Sequence, residues 1–337
     1  MDAMHDPGVA TALARSAAAE RASLAPLASA TGARILVGVA SWTDPSMTAP
    51  GVFYPDGVNK PEARLRYYSS RFPIVEVDST YYAIPARKMA ELWNDRTPEG
   101  FTFDVKAHAL MTGQPSEVDR LPRDLRTALP PVLAKKPRIY ASELPDELRD
   151  AVWAAFLDAL TPLRDAQRMG AILLQYPRWV GPSRANASLI ENAAARLREH
   201  GWRAAVEFRN RNWFDERTRP RTLDLLRRNR LSYVAVDSPP GFESSVPAIP
   251  EVTSPSLAVV RFHGRNTDTW EAKVTRVSDR FRYLYDETQL REWLPMIRAI
   301  TEQAEEVHLV FNNCYGNYGT TNAFEMAGLL VDSGVAR

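Results

Sequence analysis

Cysteine is nearly absent from this sequence of 337 residues, which contains only Cys314. A single thiol forms neither an internal disulfide nor a multi-cysteine metal site, so the composition excludes a disulfide-rich secreted scaffold and fits a reducing cytoplasm. Long apolar runs are also lacking, since none reaches the roughly 20 residues that span a bilayer. Residues 1–33 lack the basic start and continuous apolar core of a secretory signal. We therefore expect a soluble, cytoplasmic protein with no membrane partner.

An excess of charge of one sign is lacking too, because 42 basic and 41 acidic residues leave a net charge of +1. This balance gives no overall attraction to nucleic acid or to an anionic membrane. No Gly-x-Gly-x-x-Gly turn follows the first predicted strand, and no His-x-His or His-Glu-x-x-His spacing occurs. We expect no organic cofactor of a recognisable kind and no obligatory metal, although a divalent ion stays open. Arginine greatly outnumbers lysine, as is typical of high-GC bacterial genomes.

The chain does contain eight short apolar, β-branched runs that each end in polar side chains. They lie at residues 35–40, 74–77, 101–106, 171–176, 204–209, 233–237, 257–263 and 307–313. Apolar residues at helical spacing lie between most of them, at residues 62–72, 87–95, 147–166, 188–200, 222–228 and 289–305. Alternating strands and helices indicate a parallel sheet, and eight repeats favour a closed TIM-type (β/α)8 barrel over an open doubly wound sheet.

The eight units predict one domain over residues 34–332. Residues 1–33 are predicted to be a flexible or partly helical extension without an assigned function. The segment 112–145 is rich in proline, contains the basic stretch 135–138 and follows the third strand, so it is either a lid or rim of the pocket or a packed surface excursion. Residues 238–255 hold five prolines and no helical period, which predicts a barrel with one helix missing or shortened after the sixth strand.

Several local motifs resemble one known family. They are Val37-Gly38-Val39-Ala40-Ser41-Trp42, Val75-Glu76-Val77-Asp78-Ser79-Thr80-Tyr81-Tyr82, Phe103-Asp104-Val105-Lys106-Ala107, Val206-Glu207-Phe208-Arg209-Asn210, Arg261-Phe262-His263-Gly264-Arg265 and Phe311-Asn312-Asn313-Cys314-Tyr315-Gly316. Together these resemble the YecE-like family, domain of unknown function 72, from about residue 35 to residue 330. The resemblance implies a TIM-type barrel and supplies no reaction. The chain departs from the family at Ser41, where Gly is common, and at Cys314, where His or Asp is frequent, so Cys314 is a poor catalytic candidate.

Acid–base candidates come from the strand ends, because the functional face of such barrels is the carboxyl end of the strands. Glu207 and Glu76 are carboxylates inside apolar strands, where burial raises a carboxyl pKa towards neutrality. Their alternative role is a structural ion pair with a basic residue inside the barrel. His263 is the third catalytic candidate, and its alternative role is a hydrogen-bonded wall of the pocket.

Substrate-binding candidates lie on the same strand ends. Lys106 is predicted to be a counter-ion for a phosphate or carboxylate, with a Schiff base as the alternative. Asp104 shares its face of the strand, so we expect these two charges to neutralise one another. Arg261 and His263 also share a face, and with Arg265 they form a compact candidate site for an anion. The remaining predicted binding residues are Trp42, Asp78, Tyr81, Arg209, Asp237, Asn312 and Asn313.

The favoured hypothesis is an enzyme of the isomerase or hydrolase type. It would use acid–base chemistry on a polar or anionic small molecule in the barrel mouth, such as a sugar or sugar phosphate. One alternative is a metal-assisted nucleic-acid-processing hydrolase, with Glu76, Asp78, Glu207, Asp237 and His263 as donors for Mg, Mn or Zn. Neutral net charge speaks against it. The other alternative is a binding module without catalysis. The sequence leaves the reaction class and the oligomeric state open.

Overall fold

The structure, a computed structural model, describes residues 6–19 and 24–337. Its centre is a closed barrel of eight parallel strands in which each strand pairs with both neighbours and the eighth pairs with the first. The predicted TIM-type barrel is therefore confirmed. The strands are β1 (Arg34–Ala40), β2 (Ile74–Val77), β3 (Thr102–Lys106), β4 (Met169–Tyr176), β5 (Ala204–Phe208), β6 (Ser232–Asp237), β7 (Ala258–Phe262) and β8 (Glu306–Phe311).

Helices surround the barrel. The α-helices are α1 (Pro7–Ala19), α2 (Pro61–Arg71), α3 (Arg87–Asp95), α4 (Arg123–Thr127), α5 (Pro131–Ala134), α6 (Asp146–Asp165), α7 (Arg184–Glu199), α8 (Arg219–Arg228), α9 (Val277–Arg280), α10 (Glu287–Arg291), α11 (Leu294–Thr301) and α12 (Tyr318–Asp332). Short 3-10 helices lie at Ser79–Tyr81, Ala109–Thr112, Val118–Arg120, Ala141–Glu143 and Arg211–Phe214. Leu27–Ala28 pairs antiparallel with β1, and Ser116–Glu117 pairs with Arg138–Ile139. Within the described residues, no helix is long and apolar enough to span a membrane.

Proline explains two irregularities in this ring of helices. The helix predicted at residues 289–305 is divided into α10 and α11, because Pro295 stands in the first turn of α11 and has no amide hydrogen to continue α10. Residues 238–257, all of which the structure describes, contain no helix. The missing helix after the sixth strand is thus confirmed, and its prolines account for it.

The two faces of the barrel strands differ in character. Outward-facing side chains pack against the helices and form the apolar core; for example, Phe262 stacks on Phe311 at 4.4 Å and meets Trp293 of the β7–β8 connection at 5.0 Å. Inward-facing positions carry charge instead, since Glu76 pairs in register with Asp104 and Gln175 pairs in register with Glu207. The barrel axis is therefore filled partly by ion pairs, and most apolar packing lies between strands and helices.

A histidine between two carboxylates fills the lower part of the barrel. His308 lies 2.9 Å from Asp104 Oδ2 through Nδ1 and 3.0 Å from Glu306 Oε1 through Nε2. Burial works against its charge, but the carboxylates outweigh burial and raise the pKa of His308 to about 9. A Cβ at Gly170 would lie 2.2 Å from Asp104 Oδ1, so this strand needs glycine there. Asp104 therefore pairs with His308, and the expectation that it neutralises Lys106 is corrected.

The charge on His308 makes stability depend on pH. Because its pKa is raised from 6.5 to about 9 in the folded protein, its contribution is complete below pH 6.5 and is lost as pH rises through 9. We expect the free energy of unfolding to fall by roughly 3 kcal/mol over that window through this group. Urea denaturation at pH 6.0, 7.5 and 9.0 measures it. His308→Gln removes this slope, whereas the exposed His200→Gln control keeps it; equal slopes in both variants contradict the assignment.

The N-terminal extension contributes α1, which packs on α12. Val9 and Ala12 of α1 are buried beside Tyr315 and Tyr318. The buried carboxylate of Asp6 pairs with a guanidinium of the connection between β7 and β8. The described part of the extension is thus docked on the barrel, at the end that carries the β8 loop.

Two basic side chains join α1 to the β7–β8 connection. Arg282 is the partner of Asp6, and its guanidinium also lies 4.9 Å from the ring centre of Tyr315. Arg15 donates to the Tyr285 carbonyl at 2.5 Å and pairs with Glu325 of α12 at 2.7 Å. Through these contacts α1 braces the segment that follows β7.

Removal of residues 1–19 is expected to loosen that segment. Loss of Asp6 and Arg15 removes the carboxylate partner of Arg282 and one of the two donors to the Tyr285 carbonyl, so we expect amide hydrogens at residues 280–285 to exchange at least about tenfold faster. Hydrogen exchange with mass spectrometry measures this, with the β4 and β5 peptides as internal controls. Arg15→Ala should give a smaller increase at the same peptide. Unchanged exchange at residues 280–285 would show that α1 does not brace them.

Candidate functional site

A buried ion-pair cluster forms the floor of the carboxyl end of the barrel. Arg261 of β7 reaches Glu76 of β2 at 2.5 Å through Nη2 and pairs with Glu207 of β5 through Nη1. All three side chains are almost completely buried, at 2 %, 1 % and 0 % exposure. Three strands that are distant in sequence are therefore joined at one guanidinium. Both carboxylates adopt the ion pair that the sequence left as their alternative role.

Glu207 is saturated by donors. Its Oε1 lies 2.5 Å from Arg209 Nε and accepts from Gln175 Nε2 at 2.8 Å, while Oε2 faces Arg261. Burial raises the pKa of Glu207, but Arg209 and Arg261 outweigh burial and hold it well below the usual range. Glu207 is therefore a fixed carboxylate and a weak proton acceptor at neutral pH. For Glu76, burial outweighs Arg261 and the pKa is raised.

His263 is held as a neutral ring in the same cluster. Arg209 Nη2 lies 2.9 Å from His263 Nε2, and the Asn312 amide lies 2.8 Å from Nδ1. The same Nε2 also lies 3.2 Å from Glu207 Oε1, so this ring nitrogen faces both a guanidinium donor and a carboxylate acceptor, while Nδ1 faces the amide nitrogen of Asn312. Burial and Arg209 lower the pKa of His263 to about 3. This geometry is that of a hydrogen-bonded wall.

A cavity of about 440 Å³ opens above this floor at the carboxyl ends of the strands. Of the sequence-predicted residues, six line it: Asp78, Tyr81, Lys106, Arg209, Arg261 and Asn312. Glu76, Glu207 and His263 lie directly beneath, in contact with Arg261. Glu76, Lys106, Glu207, Arg261 and His263 thus meet at this end of the barrel from four strands, with the carboxylates one layer below the surface that a ligand would touch.

Lys106 is a basic group on the cavity wall that has no carboxylate partner among the described residues. Its ammonium lies 4.6 Å from the ring centre of Tyr81, and within the described residues no carboxylate comes within 4.0 Å of it and no hydrogen bond holds it. Burial and the positive charge of Arg261 lower the pKa of Lys106 to about 8. Asp78 lies on the same wall, and burial raises the pKa of Asp78 against the opposing effect of Lys106. The pKa of Lys106 is therefore shifted downward towards neutrality and that of Asp78 upward.

Two predicted binding residues lie outside the cavity because of strand alternation. Val236 faces the barrel axis in register with Arg261, so Asp237 faces outward. There its carboxylate accepts from Arg265 at 2.7 Å, and from the Tyr285 hydroxyl and the Trp293 indole as well. Asp237 and Arg265 thus tie the outer face of β6 to the β7–β8 connection, and their placement in the pocket is corrected.

Trp42 and Asn313 are also displaced from the cavity. Ser41 ends β1 with φ = 67°, in the left-handed region that glycine prefers, which breaks the alternation before Trp42. Trp42 then packs edge-on against Trp93 of α3, at 6.0 Å. Asn313 donates to the Tyr283 carbonyl and to Asn322, both at 2.9 Å. Both residues therefore support the rim from outside.

Residues that the sequence analysis did not name as site candidates, most of them on loops, complete the cavity. They are Tyr82, Gln114, Gln175, Pro177, Arg178, Trp179, Ser244, Trp270, Glu271, Arg280 and Phe281. Pro177, Arg178 and Trp179 follow β4 directly, so the strand-end criterion would have found them. Trp270 and Phe281 cover the His263 ring at 5.9 and 5.8 Å from a long connection without periodicity, and no sequence signal marks them.

The proline-rich insertion forms part of the rim. Gln114 accepts from the Tyr81 hydroxyl at 2.8 Å and donates to the Gln175 carbonyl at 3.1 Å. The basic stretch farther along the insertion is paired, since Lys136 lies 2.5 Å from Glu143 and Arg138 lies 3.1 Å from Glu117. The insertion therefore borders the cavity, while two of its cations are already neutralised.

The hypothetical metal donors do not come together as a set. Across residues 6–19 and 24–337, no three acidic, histidine or cysteine side chains form a group suited to a metal ion. Glu76 and Glu207 each face Arg261, a cation that occupies the space between them. The donors of this floor are arranged around a guanidinium.

The fold and these strand-end motifs agree with comparisons to known proteins. Residues 36–336 match the model of the family described as Protein of unknown function DUF72. The chain belongs to the DUF72 family. The UPF0759 protein YunF of Bacillus subtilis is 28 % identical over 299 residues, covering 88 % of this chain and 94 % of YunF. The predicted YecE-like family is thus confirmed, and α1 precedes the matched region.

Two solved DUF72 structures share the whole barrel. A DUF72 family protein from Thermotoga maritima is 28 % identical, with a TM-score of 0.67, and the alignment covers 88 % of this chain and 99 % of that protein. A DUF72 family protein from Enterococcus faecalis is 25 % identical, with a TM-score of 0.67 and coverage of 88 % and 97 %. The barrel described above is therefore the fold of solved DUF72 proteins.

The buried ion-pair cluster of this DUF72 barrel predicts that loss of one of its charges lowers the stability of the protein strongly. Glu207→Gln removes the charge that balances Arg209 and helps to balance Arg261, and we expect the free energy of unfolding to fall by about 3 kcal/mol or more. Chemical denaturation at pH 7 measures this, with the exposed Glu199→Gln as control. A catalytic carboxylate that is not structural would instead leave the stability of Glu207→Gln close to that of the control.

Proposed function

We propose that this protein is an enzyme that binds a polar, anionic small molecule in the cavity and performs acid–base chemistry on it. The observation that carries the proposal is Lys106, a basic group on the cavity wall with no carboxylate within 4.0 Å among the described residues. Charged side chains without partners inside an apolar fold are costly, which favours a functional reason for keeping one there. The substrate class that fits is a sugar phosphate or a comparable hydroxylated anion.

The charge of the cavity favours an anion. Five basic side chains line it, namely Lys106, Arg178, Arg209, Arg261 and Arg280, against the carboxylates of Asp78 and Glu271. The floor carboxylates offset Arg209 and Arg261, so the surplus lies with the other three. Arg178 is only loosely paired, at 3.9 Å from Glu271. A phosphate or carboxylate would meet guanidinium donors at the mouth and an ammonium below.

The uncharged walls favour a hydroxylated ligand of monosaccharide size. Tyr81, Trp179 and Trp270 present aromatic surface, and the Trp179 side chain is 58 % exposed, so its ring is available for stacking. Gln175 and Asn312 contribute amides near the floor. A volume of about 440 Å³ lies in the range of small-molecule sites.

Lys106 and Asp78 support acid–base chemistry better than the carboxylates singled out from the sequence. A general acid or base works best when its pKa lies near the working pH. Lys106, with a pKa of about 8, meets this condition. Glu207 is held ionised and His263 is held neutral by the surrounding arginines. The proposed reaction is therefore proton transfer next to a carbonyl group, of the isomerase type.

The nucleic-acid alternative has less support from the geometry. Its two floor carboxylates bind Arg261, and Lys136 and Arg138 of the insertion are paired with glutamates. A phosphodiester backbone is bound by free surface cations, whose release of counterions gives steep salt dependence. Lys106 and Arg280, which have no carboxylate partner among the described residues, line a cavity of monosaccharide size instead.

The test uses deuterium exchange. The protein is incubated in D2O with a panel of aldose and ketose phosphates, and NMR follows the replacement of C–H by C–D next to the carbonyl. We expect exchange with at least one member, increasing with pH through about 8 as Lys106 loses its proton. Lys106→Met should reduce the rate roughly 10²–10⁴-fold. The exposed Lys88→Met is the matched control.

Binding is measured in parallel by calorimetry with the same panel. A compound that binds and never exchanges would support a binding module instead of an enzyme. Absence of both binding and exchange across the panel would remove the proposal. Equal loss of activity in Lys88→Met and Lys106→Met would show that the effect is not specific to the cavity.

A further inference from the structure

We propose that Lys106 is a nucleophile that forms a Schiff base with the carbonyl carbon of the ligand. This inference rests on the proposed function and narrows the substrate to an aldehyde or ketone that also carries a phosphate or carboxylate. Asp78, on the same wall, is then the group that carries protons. The two charged ends of the ligand site have separate roles, with Lys106 at the reacting carbon and Arg178 and Arg280 at the anionic group.

The use of lysine in this chain is the first supporting observation. Only six of the 42 basic residues are lysines. Lys60, Lys88, Lys135, Lys136 and Lys273 are exposed, so Lys106 alone belongs to the barrel interior. Inward-facing Arg261 and neighbouring Arg209 show that this floor accommodates guanidinium groups. A guanidinium stays protonated at any physiological pH, whereas an amine can lose its proton and attack a carbonyl carbon.

The surroundings of Lys106 are the second observation. Within the described residues no carboxylate within 4.0 Å holds it as an ammonium, and Tyr81, whose ring lies 4.6 Å away, uses its hydroxyl to donate to Gln114. Burial and the guanidinium of Arg261 disfavour the charged amine and outweigh the carboxylates of Glu76, Glu207 and Asp78, which favour it. A lysine that is desolvated and lies beside another cation is the arrangement that yields a nucleophilic amine near neutral pH.

The chemistry balances without an oxidant or a reductant. The free amine of Lys106 attacks the carbonyl carbon, a C–N bond forms, and a proton passes from the nitrogen to the carbonyl oxygen to give a carbinolamine. Asp78 in its acid form then protonates the hydroxyl group, the C–O bond breaks, and water leaves while the nitrogen lone pair forms the C=N bond of a protonated imine. Overall, the amine, the carbonyl and the acid form of Asp78 give a protonated imine, one water and the Asp78 carboxylate. The positive charge of the protonated imine acidifies the neighbouring C–H group, and the Asp78 carboxylate accepts its proton.

Reductive trapping tests the inference on the full-length protein. Sodium borohydride is added at pH 8 in the presence of dihydroxyacetone phosphate, glyceraldehyde 3-phosphate, ribose 5-phosphate or pyruvate, each used as a separate probe. Peptide mass spectrometry then locates the secondary amine that reduction of an imine leaves. We expect at least one probe to label Lys106 tenfold or more above each of the five exposed lysines. Labelling of Lys106 should be half-maximal near pH 8, below that of the exposed lysines.

Variants provide the controls. Lys106→Arg keeps the positive charge and should lose the adduct, Lys88→Arg should keep it, and Asp78→Asn should slow labelling at Lys106 without moving it to another lysine. Labelling confined to the exposed lysines, or equal at all six, would overturn the inference. If deuterium exchange depends on Lys106 but no probe is trapped there, the Schiff base is wrong and the proposed function stands. If both experiments fail, both proposals fall.

Discussion

One buried guanidinium organises this barrel. Arg261 joins carboxylates from β2 and β5 across the axis, at a depth where none of the three side chains is more than 2 % exposed. Burial works against the charged guanidinium, but Glu76 and Glu207 outweigh it and the pKa of Arg261 rises above its ordinary value. Such a cluster costs a large desolvation energy, and removing one member leaves an uncompensated buried charge. The cluster therefore specifies the arrangement of three strands more strongly than it stabilises the fold.

Charged side chains inside the barrel form two layers, one at the amino ends of the strands and one at the carboxyl ends, and the two layers have different roles. At the amino end, His308 between Asp104 and Glu306 has two partners for its two ring nitrogens, so its effect is on stability. At the carboxyl end, Arg261 and Arg209 pair with the buried carboxylates and also line the cavity. Burial is the main reason why the pKa of Lys106 is lowered, and Arg261 adds to this effect against the charges of Glu76, Glu207 and Asp78. The floor thus acts on the cavity wall through electrostatics, and its two arginines are the part of it that a ligand would touch.

The periodicity of apolar residues was sufficient to predict the barrel and the end of the barrel at which the site lies. Eight apolar runs predicted all eight strands, and the strand-end rule brought Glu76, Lys106, Glu207, Arg261 and His263 together. It could not show which of these charges pair, because pairing depends on register and strand tilt. Val236 pairs with the inward-facing Arg261, and because side chains alternate along a strand, Asp237 faces outward. This register is visible in the structure and not in the sequence. The conformation of Ser41, which displaces Trp42, likewise has no sequence signature in a serine.

The roof of the cavity is formed by a connecting segment, whereas its floor is formed by strands. Trp270, Arg280 and Phe281 come from the β7–β8 connection, which has few regular elements of its own and is held from behind by Arg282 and Tyr285 against α1. Because α1 lies before the region matched by the DUF72 model, the brace is added by a segment outside the family match. A loop ordered in advance costs less entropy when a ligand binds. The floor therefore contributes charge to the site, while α1 contacts the segment that carries the roof, an arrangement that would lower the ordering cost of ligand binding.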